Sequence, residues 1–311
     1  MMLVLLEVVT PVFIVIAAGY IATRTGNFKD SAVDGLNVFS QKFAIPCLLF
    51  DATMTLDLAA VLKWDLLISF YAGATICFVL GVLGARLIFN RRPGEAVAIG
   101  FGALFSNSVL LGLPITEQAY GVEALGPNYA IVALHAPYCY FLGITAMEAL
   151  RADGQSLIGT VGTIVRMVAG NALMIGIVLG LLANFTGFRP PALVNDAIDL
   201  IVQAALPAAL FGLGGVLTRY TVSDKIPQAM MIAVLSLVVH PAITWTLATQ
   251  VFALDLSMVR SSVVTASMAP GINAYIFATM YGRATGVNSS AVLLCTLLSV
   301  FSVPLWLLLI G

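Results

Sequence analysis

Ser106-Asn107-Ser108-Val109-Leu110-Leu111-Gly112-Leu113-Pro114-Ile115-Thr116-Glu117-Gln118-Ala119-Tyr120-Gly121 interrupts an apolar run by placing three hydrogen-bonding side chains, a glycine and a proline within nine residues. Proline locks its backbone, removes a donor and clashes with the turn before it, so a helix passing through Pro114 is disturbed. In a lipid-embedded segment, irregular backbone is tolerated only where its N–H and C=O groups face protein or a wet cavity. The stretch is therefore expected to face the protein interior and to supply one half of a substrate site.

The chain around it has the composition of a polytopic membrane protein. Of its 311 residues 60% are hydrophobic and 9% charged, with a mean hydropathy of +1.04, whereas soluble domains carry about 25% charged residues. The lipid bilayer is thus its first partner. A net charge of -1 without a basic patch excludes nucleic acid, because phosphate binding needs a basic footprint. Cys47, Cys77, Cys139 and Cys295 stand singly in separate apolar runs, so neither a disulfide framework nor a thiolate metal site is expected. No metal and no cofactor is assigned. The segment Met1 to Glu7 lacks the basic n-region of a signal peptide, and Arg24 and Lys29 come after the apolar run, so it reads as the start of a first spanning helix.

A span needs about 20 mostly apolar residues. Charges, glycines and prolines punctuate the chain into ten such segments, near 3–22, 33–53, 66–89, 95–120, 128–149, 164–185, 191–217, 229–252, 258–281 and 288–310. The odd-numbered loops hold Arg24, Lys29, Arg86, Arg91, Arg92, Arg151, Arg166, Arg219, Lys225 and Arg283, against Lys63, Arg189 and Arg260 in the even-numbered ones. An excess of Lys and Arg marks the cytoplasmic side. A multi-pass protein of the inner cell membrane with both termini non-cytoplasmic is expected.

Sliding the sequence against itself gives a gap-free match at an offset of 161 residues. Gly19, Ala22, Gly26, Ala44, Pro46, Leu49 and Phe50 meet Gly180, Ala183, Gly187, Ala205, Pro207, Leu210 and Phe211; Ser106, Tyr120 and Gly121 meet Ser267, Tyr281 and Gly282. The halves are 1–150 and 162–311, joined by a cytoplasmic link at 151–161. Five spans per half is odd, so the second half enters from the opposite side. The fold class is an all-α membrane protein of ten transmembrane helices in two inverted five-helix repeats. Such repeats place substrate at mid-membrane between discontinuous helices.

The repeat pairs the opening stretch, in span four, with Ser267-Met268-Ala269-Pro270-Gly271-Ile272-Asn273-Ala274-Tyr275-Ile276-Phe277-Ala278-Thr279-Met280-Tyr281-Gly282 in span nine. Gly112 and Pro114 interrupt the first; Pro270 and Gly271, with Asn273 following, interrupt the second. Pro114 suits the first position of a new half-helix, where it wastes no donor. The unpaired N–H groups at such a start carry partial positive charge and bind anions. If the two spans cross, two positive ends converge, with donors from Asn107 and Asn273 and hydroxyls from Ser106 and Ser108. The candidate substrate-binding residues are Ser106, Asn107, Ser108, Gly112, Leu113, Pro114, Pro270, Gly271, Asn273, Ala274 and Tyr275, and no buried arginine is needed.

Ionisable groups inside spans are functional candidates. Glu7, Glu148, Asp196 and Asp199 fall near span ends and read as interfacial. Lys42, four residues before Pro46, either snorkels or faces the site as an anion partner. Glu117 either carries a coupling proton or stabilises the half-helix start. His135 titrates near neutrality, and is either a coupling group or a neutral imidazole bonded to a carbonyl; His240, beside Pro241, is a weaker candidate. Two histidines without HExxH, with no P-loop and no G-x-S-x-G, support no enzyme. An anion channel is the weaker rival, since channels tend to line a pore with rings from several subunits.

The segments Pro11, Gly19-Tyr20, Arg24-Thr25-Gly26, Leu36-Asn37 and Pro46-Cys47-Leu48-Leu49-Phe50, with Asn107 to Ile115, Pro270 to Ala274 and Tyr281-Gly282, resemble the auxin efflux carrier family, and more closely its bacterial members described as malate or malonate permeases. The resemblance implies a scaffold of helices one, two, six and seven, and a mobile transport domain of helices three to five and eight to ten. It also implies substrate at the crossing of helices four and nine, elevator-like alternating access, organic-anion substrates and a homodimer through the scaffold. Two departures argue against auxin: the long cytoplasmic loop of plant carriers is missing, and Ala274 stands where they place proline, with Pro270 four residues earlier. A related fold in bile-acid symporters raises sodium coupling, but the sequence has no acidic cluster for sodium and a proton is preferred. The expected function is secondary transport of a small dicarboxylate such as malonate or malate. The alternatives are a sodium-coupled organic-anion symporter and an auxin-like monocarboxylate carrier.

Overall fold

The computed structural model describes residues 2–151, 162, 166, 169–220 and 225–311, with the side chains of 2–8 and 151 excepted. The expected link at 151–161, apart from the Arg151 backbone, and the Glu7 side chain lie outside the described residues. In chain order the helices are α1 (Met2–Arg24), α2 (Asp30–Phe39), α3 (Ile45–Thr55), α4 (Leu58–Val61), α5 (Trp64–Leu87), α6 (Pro93–Leu104), α7 (Leu113–Tyr120), α8 (Gly126–Arg151), α9 (Ala172–Thr186), α10 (Ala192–Leu217), α11 (Ile226–Val234), α12 (His240–Thr246), α13 (Leu256–Ala266), α14 (Ile272–Met280) and α15 (Thr285–Ile310). Among the described residues there is no strand, only an isolated antiparallel bridge between Ser106 and Pro270.

Among the described residues, five stretches are helical over enough apolar length to cross a membrane: Trp64–Leu87, Val122–Leu150, Ala192–Leu217, Ile226–Val251 and Thr285–Ile310. The first expected span falls on α1, and the fourth and ninth fall on the interrupted pairs α6 with α7 and α13 with α14. Large apolar side chains point outward along these helices, with Leu200 at 71%, Phe185 at 75% and Phe301 at 69% exposure. Water would penalise that surface; lipid solvates it. The protein is a multi-pass membrane protein.

Three π-helical stretches, Ser40–Ala44, Ser108–Gly112 and Leu235–Val239, each end two residues before a proline: Pro46, Pro114 and Pro241. In each, the residue preceding the proline donates its N–H five residues back, Ile45 to Ser40, Leu113 to Ser108 and His240 to Leu235. A proline ring clashes with the carbonyl four residues earlier. Widening the turn moves that carbonyl aside, so the helix continues through the proline instead of stopping.

The chain forms two compact units. The larger contains Met1–Thr10, Leu62–Ile164 and Tyr220–Gly311; the smaller contains Pro11–Val61 and Val165–Arg219. In the larger unit α5 and α6 approach through facing glycines, where a Cβ at Gly81 would lie 2.9 Å from the Gly100 Cα. Small residues drive such contacts in membranes, because lipid removes the hydrophobic reason for helices to associate and leaves close packing to hold them. Phe101 stacks on Phe277 at 3.9 Å, joining α6 to α14.

In the smaller unit, contacts recur with their partners exchanged between the sequence halves. A Cβ at Gly19 would collide with the Phe211 carbonyl, and one at Gly180 with the Phe50 carbonyl; both pairs are related by the offset of 161. Gly214 lies against the Ile16 carbonyl, and Thr53, its counterpart, directs its hydroxyl at the Ile177 carbonyl, 3.4 Å away. Asn184 closes the end of α3 by donating to the carbonyls of Thr53, Met54 and Leu56 at 3.0, 3.0 and 2.8 Å. Gly26 and Gly187, at the ends of α1 and α9, both have positive φ, as do Gly121 and Gly282 after α7 and α14.

Gly19→Ala and Gly180→Ala are each expected to destabilise the protein by about 1–3 kcal/mol, since the neighbouring backbone has to retreat. Gly35→Ala, where an added Cβ meets nothing within 4 Å, is expected to be neutral or to stabilise by up to about 1 kcal/mol. Thermal unfolding in detergent checks both; equal effects at Gly19 and Gly35 would refute the close-approach account.

Candidate functional site

Two interrupted helices meet in the larger unit. Helix α6 ends at Leu104 and α13 at Ala266, and the chain runs non-helically through Phe105–Asn107 and through Ser267–Gly271 before the following half-helices begin. There the two segments lie antiparallel. Asn107 donates its N–H to the Ala269 carbonyl at 2.8 Å, and Gly271 donates to the Phe105 carbonyl at 2.9 Å. Ser106 and Pro270 face each other between these bonds. Residues so placed are not asked for their own N–H groups, so Pro270 occupies the crossing at no cost in donors.

The crossing is deeply buried: Ser106 and Ser108 are 3% exposed, Asn107 6%, and Ser267, Met268 and Ala269 0%. Buried backbone polar groups need partners. The Ser106 carbonyl finds two, the Ser108 N–H at 2.8 Å and His135 Nε2 at 3.1 Å. His135 rises from α8, buried, with its ring against Phe105 at 4.7 Å and Phe70 at 5.6 Å. Donation from Nε2 leaves Nδ1 as the acceptor of the neutral imidazole, and the Cys139 thiol lies 3.8 Å from it. His135 is thus bonded to a buried carbonyl through Nε2.

Both following half-helices start at the crossing. Asn107 caps the first, its Oδ1 accepting from Leu110 N at 3.3 Å. Gly271 caps the second, and a Cβ there would stand 3.6 Å from Asn107 Cα, so the two starts are neighbours. First-turn N–H groups have no partner within their own helix, and each start carries about half a positive charge. Asn273, in the first turn of α14, has its Oδ1 bonded to the Tyr140 hydroxyl at 3.0 Å. Both asparagines thus commit their carbonyl oxygens inside the protein. Val109, Leu110, Ile272, Asn273 and Tyr275 are half-buried and form the less enclosed flank. Among the described residues no Lys, Arg, Asp or Glu is buried, so the crossing is built of neutral dipoles.

Of the residues singled out in sequence, the structure brings Ser106, Asn107, Ser108, Pro270, Gly271, Asn273 and His135 together. Ala274 is buried behind the second start, and Tyr275 packs on Tyr220 with ring centroids 5.0 Å apart. Gly112, Leu113 and Pro114 lie past the first turn, because the interruption falls at Phe105–Asn107 and not at Pro114; the π-turn absorbs that proline. Glu117 is half-buried further along α7, and Lys42 is exposed in the smaller unit.

Two positions escaped the sequence reading. Tyr140 is one. The other is Asn128, fully buried in α8, which donates to Thr265 Oγ1 at 2.7 Å and Thr116 Oγ1 at 3.2 Å and so ties α7 to α13. The signal available was their setting, polar groups in an apolar span, as for His135, which sits on the same helix.

Residues 4–160 and 163–307 match the membrane transport protein family. The chain is 26% identical over 297 residues, covering 95% of this chain and 92% of the relative, to a Rhizobium meliloti (strain 1021) protein named "Putative malonate transporter". It is 24% identical over 310 residues, 96% of each chain, to an "Uncharacterized transporter" of Methanothermobacter thermautotrophicus. A 26% identity over 215 residues links it to 24% of the mouse "Lysosomal cholesterol signaling protein". With a family match along nearly its full length, and helices interrupted where protein surrounds them, this chain belongs to the membrane transport protein family and is a transporter, not an enzyme.

Proposed function

We propose that the protein is a secondary transporter of a small organic anion, a dicarboxylate such as malonate or malate, bound where the two interrupted helices cross. The observation that carries this reading is the meeting of two half-helix starts whose asparagines, Asn107 and Asn273, both have their oxygens committed elsewhere. Converging N–H donors suit a carboxylate. The name of the Rhizobium meliloti relative supports malonate within that class.

The proposed architecture is ten spans in two inverted repeats, 1–150 and 162–311, with the basic loops cytoplasmic and both termini outside. The partner-exchanged contacts of the smaller unit and the paired positive-φ glycines support it. The smaller unit serves as scaffold, and the larger, which holds the crossing, moves as the transport domain in an elevator-like cycle. The division of the chain into these two units supports that assignment. The proposed coupling ion is a proton. Glu117 is the better carrier, because His135 Nε2 is engaged by the Ser106 carbonyl.

Asn107→Ala and Asn273→Ala are each expected to reduce counterflow of labelled malonate in proteoliposomes by about tenfold, the scale of a hydrogen bond to a charged group; unchanged uptake in both would overturn the site. Current without saturation or counterflow would establish a channel instead. Glu117→Gln is expected to abolish the response to an imposed pH gradient, while His135→Gln retains it, and a normal response in Glu117→Gln refutes the assignment. Since His135 satisfies a buried carbonyl, His135→Leu is expected to lower stability by about 1–3 kcal/mol, measured by thermal unfolding, with His135→Gln recovering part of the loss.

A further inference from the structure

An asparagine amide presents two faces of opposite character, a carbonyl oxygen that accepts and an NH2 that donates, nearly identical in shape. An anion site built on asparagines works only if each amide is held with its NH2 toward the ligand. For Asn107 the helix itself does this, since the Leu110 N–H can only donate and so captures Oδ1. Asn273 has no such bond. It sits inside the first turn of α14, past the Gly271 cap, and the partner of its Oδ1 is the Tyr140 hydroxyl on α8.

Tyr140 is well placed to impose an orientation. It is 6% exposed and wedged among Phe101, Phe105 and Phe277, with centroids at 5.6, 5.9 and 6.5 Å. Gly143, one turn on, leaves room for Phe101, whose ring an added Cβ would strike. The ring therefore cannot swing away. A phenol donates more readily than it accepts, because the aromatic ring withdraws the oxygen lone pairs, so its hydroxyl selects the amide oxygen. The Phe105 in this cluster also supplies the carbonyl that holds Gly271 N–H, so the same packing fixes the backbone and the amide of the second half-helix start.

Given the reading of the crossing as an anion site, we propose that Tyr140 is a specificity-determining positioning residue: by holding the Asn273 oxygen it leaves both asparagine amides donor-only toward the ligand, and thereby selects a carboxylate over an isosteric carboxamide. Without the hydroxyl, Asn273 is free to turn its oxygen toward the ligand, which repels a carboxylate and accepts from an amide N–H.

The test compares native protein, Tyr140→Phe, Asn107→Ala and Asn273→Ala in proteoliposomes, with labelled malonate uptake competed by unlabelled malonate and by malonamide, and with thermal unfolding in detergent run alongside. Tyr140→Phe is expected to raise the half-saturating malonate concentration about fivefold, the scale of one neutral hydrogen bond, and to lower the half-inhibiting malonamide concentration, narrowing the selectivity ratio at least as much, at near-native thermal stability. Asn273→Ala is expected to lose malonate affinity without gaining malonamide. If Tyr140→Phe weakens both ligands in proportion, or changes neither while Asn273→Ala is impaired, the positioning role is wrong and the crossing remains the site. If both asparagine variants take up malonate normally, or the native protein shows no saturable malonate uptake, the site reading fails and this inference falls with it.

Discussion

The structure of the larger unit depends on one exchange of hydrogen bonds, Asn107 N–H to the Ala269 carbonyl and Gly271 N–H to the Phe105 carbonyl. An interrupted helix inside a membrane strands several backbone groups, each costly in a medium that cannot hydrogen-bond. Neither interruption would be tolerable alone. Laid against each other, the two segments pair four of those groups, and His135 takes up the second lone pair of the Ser106 carbonyl. At the first half-helix start the Ser108 N–H is taken by the Ser106 carbonyl and the Leu110 N–H by Asn107 Oδ1, so the start is closed by its own residues.

Proline acts in two different ways at Pro46, Pro114 and Pro241 and at Pro270, and local sequence does not separate them. At Pro46, Pro114 and Pro241 the preceding turn widens and the helix continues. At Pro270 the helix stops, and the residue opposite, Ser106, lies in a segment with no proline of its own. Span four is interrupted by its contact with span nine. This is why the break was legible to within about two turns but not to the residue: Pro114 announces a disturbance, and the tertiary pairing decides where it falls.

Features that were legible are those that any backbone path would demand. Gly19 and Gly180 are glycines because a carbonyl passes where a Cβ would be; Gly121 and Gly282 because φ is positive. Such requirements write themselves into residue type and recur at a fixed offset. Asn107 and Asn273 were visible as polar groups beside a break. Tyr140 was not, since its value lies in which end of Asn273 it touches, and a tyrosine in an apolar span is compatible with packing alone. Asn128 was invisible for a similar reason: its partners Thr116 and Thr265 are remote in sequence and converge only once α7 and α13 are packed on α8.

The paired backbone bonds at the crossing also have a kinetic meaning. Their two amide hydrogens belong to different segments, yet each is buried by the segment that bonds the other. Neither can meet solvent while the segments remain in register, and any separation large enough to free one frees both. The amides of Asn107 and Gly271 should therefore exchange with deuterium at one shared rate, that of opening the crossing, and so act as a built-in clock for local opening of the larger unit.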